Sequence, residues 1–366
     1  MVSFSILAGG LDTFIATYLF NPSNASLTLS GRFEGGTLNC SWIGRHPTNN
    51  SVFYALNELF PGSIRSFTTT PDGAIAGPFD TALSGGDNPV YLLALSTGEV
   101  GVVNYMSGTG RFVPTTSPLM FAIKTTPTIT FPAPKGGMSH PHMVFEHGDE
   151  ILVPDKGSDT VWRLRKSKQD EMWKLSGDIV QPFGSGPRHI AVHGDRLFTL
   201  HETASTLTLQ KFPKLAFNSS TPFIANLSTI PDNPPLGSVW AAAEILMPKA
   251  TKLFPKTYIY VSNRNRPADP SSLDPRGDTI AIFEHVGKGT KKEGLRLVKQ
   301  VFTGLNQVRG MSIGLEENGS EKYLVTAGAA GSGGTVVFER VDGGAGLKEV
   351  ARNTEIPQRN TFLWLH

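Results

Sequence analysis

Five short stretches of this 366-residue chain carry side chains able to move protons or hold anions: His140-Pro141-His142, Pro187-Arg188-His189, His201-Glu202, Asn263-Arg264 and Val308-Arg309. Arginine presents a planar fork of N–H donors matched to carboxylate or phosphate oxygens. Histidine and glutamate exchange protons near neutral pH once their surroundings tune them. A mouth lined by both kinds would hold a small anionic substrate and perform acid/base chemistry on it. His140, His142, Arg188, His189, Glu202, Glu244, Arg264, Arg309, Asn104 and Asn57 are the candidate catalytic and substrate-binding residues. His140 and His142, two residues apart on a strand, share a face at a spacing that zinc uses. No second His-X-His and no Asp-rich calcium loop accompanies them, and Cys40 is the single cysteine, so neither a metal nor any other cofactor is expected.

The elements that would bring these stretches together are written as a repeat. An apolar strand, a small polar turn and a second strand with alternating apolar positions recur from Phe4, Ser51, Gly98, Glu150, Asp195, Thr257 and Lys322. The spacing is that of propeller blades with loop insertions. A further short strand precedes most hairpins, as in "HPHMVFEH", "GPRHIAVHG", "VWAAAEILMP" and "VRGMSIGLE". The pattern predicts an all-β, seven-bladed propeller of four-stranded antiparallel blades, one domain over residues 1–366. The C-terminal "NTFLWLH" supplies the inner strand missing ahead of the N-terminal hairpin, closing the ring and removing exposed sheet edges.

In such a blade the inner strand starts, and the next strand ends, at the same face of the ring. The unusual polar residues fall there. Inner-strand starts carry His140 and His142, Arg188-His189 and Arg309, with Glu244 a little deeper; second-strand ends carry Asn57-Glu58, Asn104-Tyr105, Asp155-Lys156, His201-Glu202 and Asn263-Arg264. Opposite ends hold ordinary turn residues such as His193-Gly194-Asp195.

Composition excludes several other functions. Thirty-nine glycines and 26 prolines with 17% charged residues describe short strands and many turns, not a helical bundle. The net charge is +2 without a block of like charges, so no nucleic-acid groove is indicated, and Lys288 to Lys292 reads as a solvated loop. No apolar run reaches membrane-spanning length, and the apolar N-terminus lacks a basic leader, so a cytoplasmic protein acting on a small molecule is expected and the sequons at Asn24, Asn218 and Asn226 read as coincidental.

The order of "GPRHIAVH", "LHETAST", "AAAEI", "YVSNR", "VRGMSI" and "VTAGAAGSGGTVVFE" resembles the seven-bladed propeller lactonase family, which includes bacterial 6-phosphogluconolactonase and the fungal 3-carboxy-cis,cis-muconate cyclase. The resemblance implies a cofactor-independent reaction that opens or closes a lactone, with hydrolysis placed slightly ahead of cycloisomerisation. It carries a proposed site onto His140 or His142, Arg188, Glu202 and Arg264, with Glu202 or one of the two histidines moving the proton and the arginines binding anionic oxygens. His201 stands where the bacterial form has asparagine. A catalytically silent binding propeller is the alternative from another class, since fold does not fix function.

Overall fold

The computed structural model describes residues 2–35, 37–122 and 126–366. Seven antiparallel sheets follow one another along the chain. Blade one combines β1 (Phe4–Gly9), β2 (Ile15–Asn21) and β3 (Ser26–Phe33) with β29 (Thr361–Trp364). Blade two is β4 (Ile43–Arg45) to β7 (Ile75–Leu83). In blade three, β8 (Pro89–Ala94), β9 (Glu99–Asn104) and β10 (Thr109–Ser117) are edged by two short pieces, β11 (Met120–Phe121) and β12 (Ile129–Thr130). Blade four is β13 (Phe145–His147) to β16 (Trp173–Val180), blade five β17 (Pro187–His193) to β20 (Phe223–Ser228), blade six β21 (Trp240–Leu246) to β24 (Gly294–Phe302) and blade seven β25 (Asn306–Ile313) to β28 (Gly346–Asn353). The inner strands of most neighbouring blades touch, an apolar cluster joins blades three, four and five, and β29 meets both β25 and β4, so the ring is closed.

Burial explains the residue choice. The second strands β5 (Val52–Asn57), β9, β14 (Glu150–Asp155) and β22 (Ile259–Asn265) are buried at every position, because adjacent blades cover both of their faces. β5, β9 and β14 are accordingly apolar through their middles, while β22 is apolar only over Ile259–Val261. Outer strands such as β3 alternate between covered and open positions, which is the period-two pattern of a half-solvated strand. The apolar clusters lie between blades: one joins Phe4, Tyr18 and Phe20 of blade one to Val325 and Val337 of blade seven. Among the described residues no helix is long and apolar enough to cross a membrane.

The expected closure is present. Leu7 pairs with Leu363 and Ala8 with Phe362 in antiparallel register. Trp364 is buried, packs edge-on against Phe4 and Phe20, and donates its indole N–H to the Ser312 carbonyl at 3.2 Å. The seam is therefore held by aromatic contact as well as by the ladder. Trp364→Ala should lower the unfolding free energy by about 3–5 kcal/mol, measured by denaturant titration; a loss below about 1 kcal/mol would show that the seam does not depend on this ring.

Candidate functional site

Asp155 sets the entrance to blade four. Its carboxylate accepts hydrogen bonds from the His140 backbone N–H at 2.6 Å, from the backbone of Gly157 and Ser158, from the Ser139 hydroxyl and from the Trp162 indole. The segment Ser139–His142 is thereby tied to the turn after β14, and the His142 N–H bonds to the Pro154 carbonyl at 2.9 Å. The regular inner strand begins only at Phe145, later than the sequence pattern indicates. His140 stays partly open at the rim, stacked on Tyr105 with ring centroids 4.3 Å apart. His142 is buried, with its Nδ1 3.3 Å from His189 Nε2.

Bulges aim the two rim arginines. The register of β17 shifts between Pro187 and His189, and that of β25 between Val308 and Met311, so Arg188 and Arg309 sit on the irregular residues. A bulge breaks the alternation and turns a side chain that a regular strand would send elsewhere. Gly310 beside Arg309 is obligatory, since a Cβ there would lie 2.0 Å from the Asn360 carbonyl oxygen. A third bulge, between Ala242 and Ile245 of β21, releases backbone carbonyls from the ladder. Arg264 donates to the carbonyls of Ala241 and Ala242, and Arg188 Nε donates to that of Ala243 at 2.9 Å. The run of alanines leaves room for both guanidinium groups to approach the strand.

Glu202 lies between these cations. Its Oε2 is 2.5 Å from Arg188 Nη1 and 3.0 Å from Arg264 Nη2, and its Oε1 is 2.8 Å from Lys156 Nζ. Burial acts to raise the carboxyl's pKa, but the charges of Arg188, Arg264 and Lys156 outweigh it and hold the group well below the usual carboxylate range. Such a carboxylate is an anchor and a weak base. Arg309, opposite, faces Glu58 at 3.6 Å. Burial and then the Arg188 charge hold His142 well below the ordinary histidine value, so it is neutral at pH 7.

Beneath His142 runs a buried chain. His189 Nε2 faces His142 Nδ1, and His189 Nδ1 lies 2.7 Å from Glu244 Oε1. With its proton on Nδ1 donated to Glu244, His189 accepts from His142 Nδ1–H. That tautomer leaves His142 Nε2 as a lone-pair site, and no protein group among the described residues bonds to it. Trp42 and Tyr91 pack around His189 and fix its plane.

The structure thus gathers His142, Arg188, Glu202, Arg264 and Arg309 at one mouth, with His140 at its edge. It places His189 and Glu244 behind His142, where they hold an imidazole and do not line the mouth. Asn57 and Asn104 do not belong to the mouth either. Asn57 accepts the Leu38 N–H, and Asn104 donates to the Ser84 carbonyl and the Thr109 hydroxyl, both wholly buried. His201 is turned into its blade against Thr208. His140 and His142 do not converge on a shared point, since His140 Nδ1 meets the Tyr105 carbonyl; no group of three or more His, Cys, Asp or Glu suited to a metal occurs among the described residues. Lys156, Tyr105 and Glu58 belong to the mouth and were not among the candidates. The signal for them was the alternation itself: in each strand-end pair the first residue turns into the blade and the second into the channel.

A family model described as "Lactonase, 7-bladed beta-propeller" matches residues 6–364. Among solved structures, a periplasmic gluconolactonase from Pseudomonas aeruginosa has a TM-score of 0.81 at 16% identity, covering 100% of this chain and 99% of that one. A Bacteroides uniformis protein described as a candidate 6-phosphogluconolactonase has a TM-score of 0.78 at 19% identity, covering 100% of both chains. No curated protein matches the chain in sequence. At these identities the structural likeness carries the fold.

Two outcomes follow for the ionisable core. Glu202→Gln removes the counter-charge of three buried or half-buried cations and should lower stability by about 3–5 kcal/mol, read by chemical denaturation; an unchanged midpoint would mean that the cluster relaxes freely. Burial lowers His201 from 6.5 to about 4. Above pH 6.5 both folded and unfolded chains hold it neutral; as pH falls towards 4 only the unfolded chain takes the proton, at a cost to the folded state of roughly 3 kcal/mol. His201→Gln should flatten that part of the stability curve, and an identical slope in the variant would remove His201 as its source.

Proposed function

Because the chain belongs to the seven-bladed β-propeller lactonase family, we propose that it hydrolyses the ring ester of a small anionic lactone of the sugar-acid type, using side chains of the mouth alone. The observation that carries this reading is the Glu244–His189–His142 chain, which ends in a neutral imidazole beneath a cluster of cations. In the proposed reaction His142 Nε2 accepts a proton from water, and the hydroxide so formed attacks the lactone carbonyl carbon. Arg188 and Arg309 face the developing oxyanion, where fixed positive charge in a water-poor mouth stabilises the tetrahedral intermediate. The C–O ring bond then breaks, and the imidazolium returns its proton to the departing ring oxygen. Glu202 keeps the arginines in place; it is not the base, because its charge is already committed to three partners.

One observation favours a second reaction. Four cations, Arg188, Arg264, Arg309 and Lys156, meet two carboxylates, Glu202 and Glu58, leaving two positive charges for a substrate. That surplus also suits a polycarboxylate, as ring closure of 3-carboxymuconate would require. The compartment proposed with this activity is the cytoplasm.

The test is a parallel assay of the purified protein: acid release from gluconolactone and 6-phosphogluconolactone, and ring closure of 3-carboxymuconate followed by absorbance. Acid release above the spontaneous rate, with His142→Gln reducing kcat by about 10²–10⁴ and Arg264→Met acting mainly on KM, is expected. Closure without hydrolysis would select the second reaction, and inactivity on all three would leave a binding scaffold. The neutral imidazole is the active form, so kcat/KM should stay level as pH falls through 6.5 and drop only below it; an acid limb at or above 6.5 would exclude His142 as the base.

A further inference from the structure

Below the His189, Tyr91 and Trp42 layer, the channel opens again at the opposite face as a cavity of about 920 Å³. It is separate from the mouth described above: its walls come from the far halves of the inner strands, among them Phe145, Ile190, Val192, Met247, Met311 and Phe362. One carboxylate, Glu244, lies at its floor among the described lining residues. Glu244 is 3% exposed; Oε1 accepts from His189 and from the Ile245 N–H, whereas Oε2 is buried with no partner among the described residues. A buried carboxylate oxygen facing an apolar space is costly unless a donor meets it. The outer rim carries Lys249, Lys256 and Lys288, of which Lys256 is tied to Glu284 at 2.5 Å. The volume falls in the range of small-molecule pockets, and an apolar wall with a few placed polar groups is their usual chemistry.

We propose that this cavity is a second ligand site, distinct from the reaction mouth, and that it takes a hydroxylated aromatic acid. The hydroxyl donates to Glu244 Oε2, the ring lies against Trp42 and Tyr91, and the carboxylate points outward to Lys249 and Lys288. Three requirements are thus met along one axis: a donor at the floor, an aromatic body in the middle and an anion at the rim. The site exists whatever reaction the mouth performs. Its ligand touches the carboxylate that holds His189, so occupancy is felt by the imidazole pair from below.

The probe is 6-hydroxy-2-naphthoate, followed by its own fluorescence and by calorimetry, with 2-naphthoate and 2-naphthol as analogues lacking the donor and the anion. One molecule per chain should bind, and each analogue should bind about tenfold more weakly. Lys249→Glu with Lys288→Glu, both exposed, should weaken the probe by about tenfold and leave 2-naphthol unaffected. Met247→Trp, which puts a bulkier ring into the cavity wall, should weaken binding about tenfold while near-ultraviolet circular dichroism shows an intact fold. In imidazole nitrogen spectra the His189 signals should move on binding and those of His46 should not. Equal affinity for the probe and 2-naphthoate, binding unweakened by Met247→Trp, or unmoved His189 signals would each overturn the assignment. None of these readouts uses turnover, so failure of the site and failure of the lactonase reading are separable.

Discussion

The carboxylate of Glu202 in blade five is shared by Arg188 of its own blade, Arg264 of blade six and Lys156 of blade four, so one charge fixes three blades against each other at the channel mouth. Taking these groups out of water is expensive, and an apolar filling of the same volume would be at least as stable. What the ion cluster supplies is position. Each guanidinium is also braced on the carbonyls of Ala241, Ala242 and Ala243, leaving little rotational freedom. Charge held this way needs no rearrangement when a substrate develops negative charge in front of it.

The fold was legible because the physics of each strand is local. A blade's second strand is covered on both faces and is mainly apolar before its polar end, while outer strands keep open positions, and the hairpin between them repeats seven times. The site was legible in outline, since strand starts and strand ends at one face collect the polar side chains. Its inner geometry was not. Asn57 and Asn104 stand at the expected ends, yet a single step of the two-residue period separates a side chain that faces the channel from one that braces a loop, and Glu58, Tyr105 and Lys156 are on the channel side of that step. Arg188 and Arg309 depend on bulges, and no residue pattern in β17 or β25 announces where the extra residue falls. The support that His189 and Glu244 give to His142 likewise follows from three-dimensional packing around Trp42 and Tyr91.

The same packing divides the channel. His189, wedged by Trp42 and Tyr91, supports the imidazole on one side, while Trp42, Tyr91 and Glu244 face the cavity on the other. A propeller closed by seven blades has a continuous axial passage by construction, and a layer of rings across it makes two chambers of unlike chemistry. The upper is dominated by paired charge, the lower by apolar wall with one carboxylate.

The pairing of β1 with β29 also sets an order on biosynthesis. The hairpin spanning Phe4–Asn21 leaves the ribosome first, but its inner neighbour lies at Thr361–Trp364. At about 5–20 residues per second, the nascent chain carries that bare strand edge for roughly 20–70 s while six further blades are made. An unpaired apolar edge invites pairing with another chain. Blade one, the earliest to be synthesised, is thus the last to be completed, and until then the newborn protein has every reason to be shielded from its own copies.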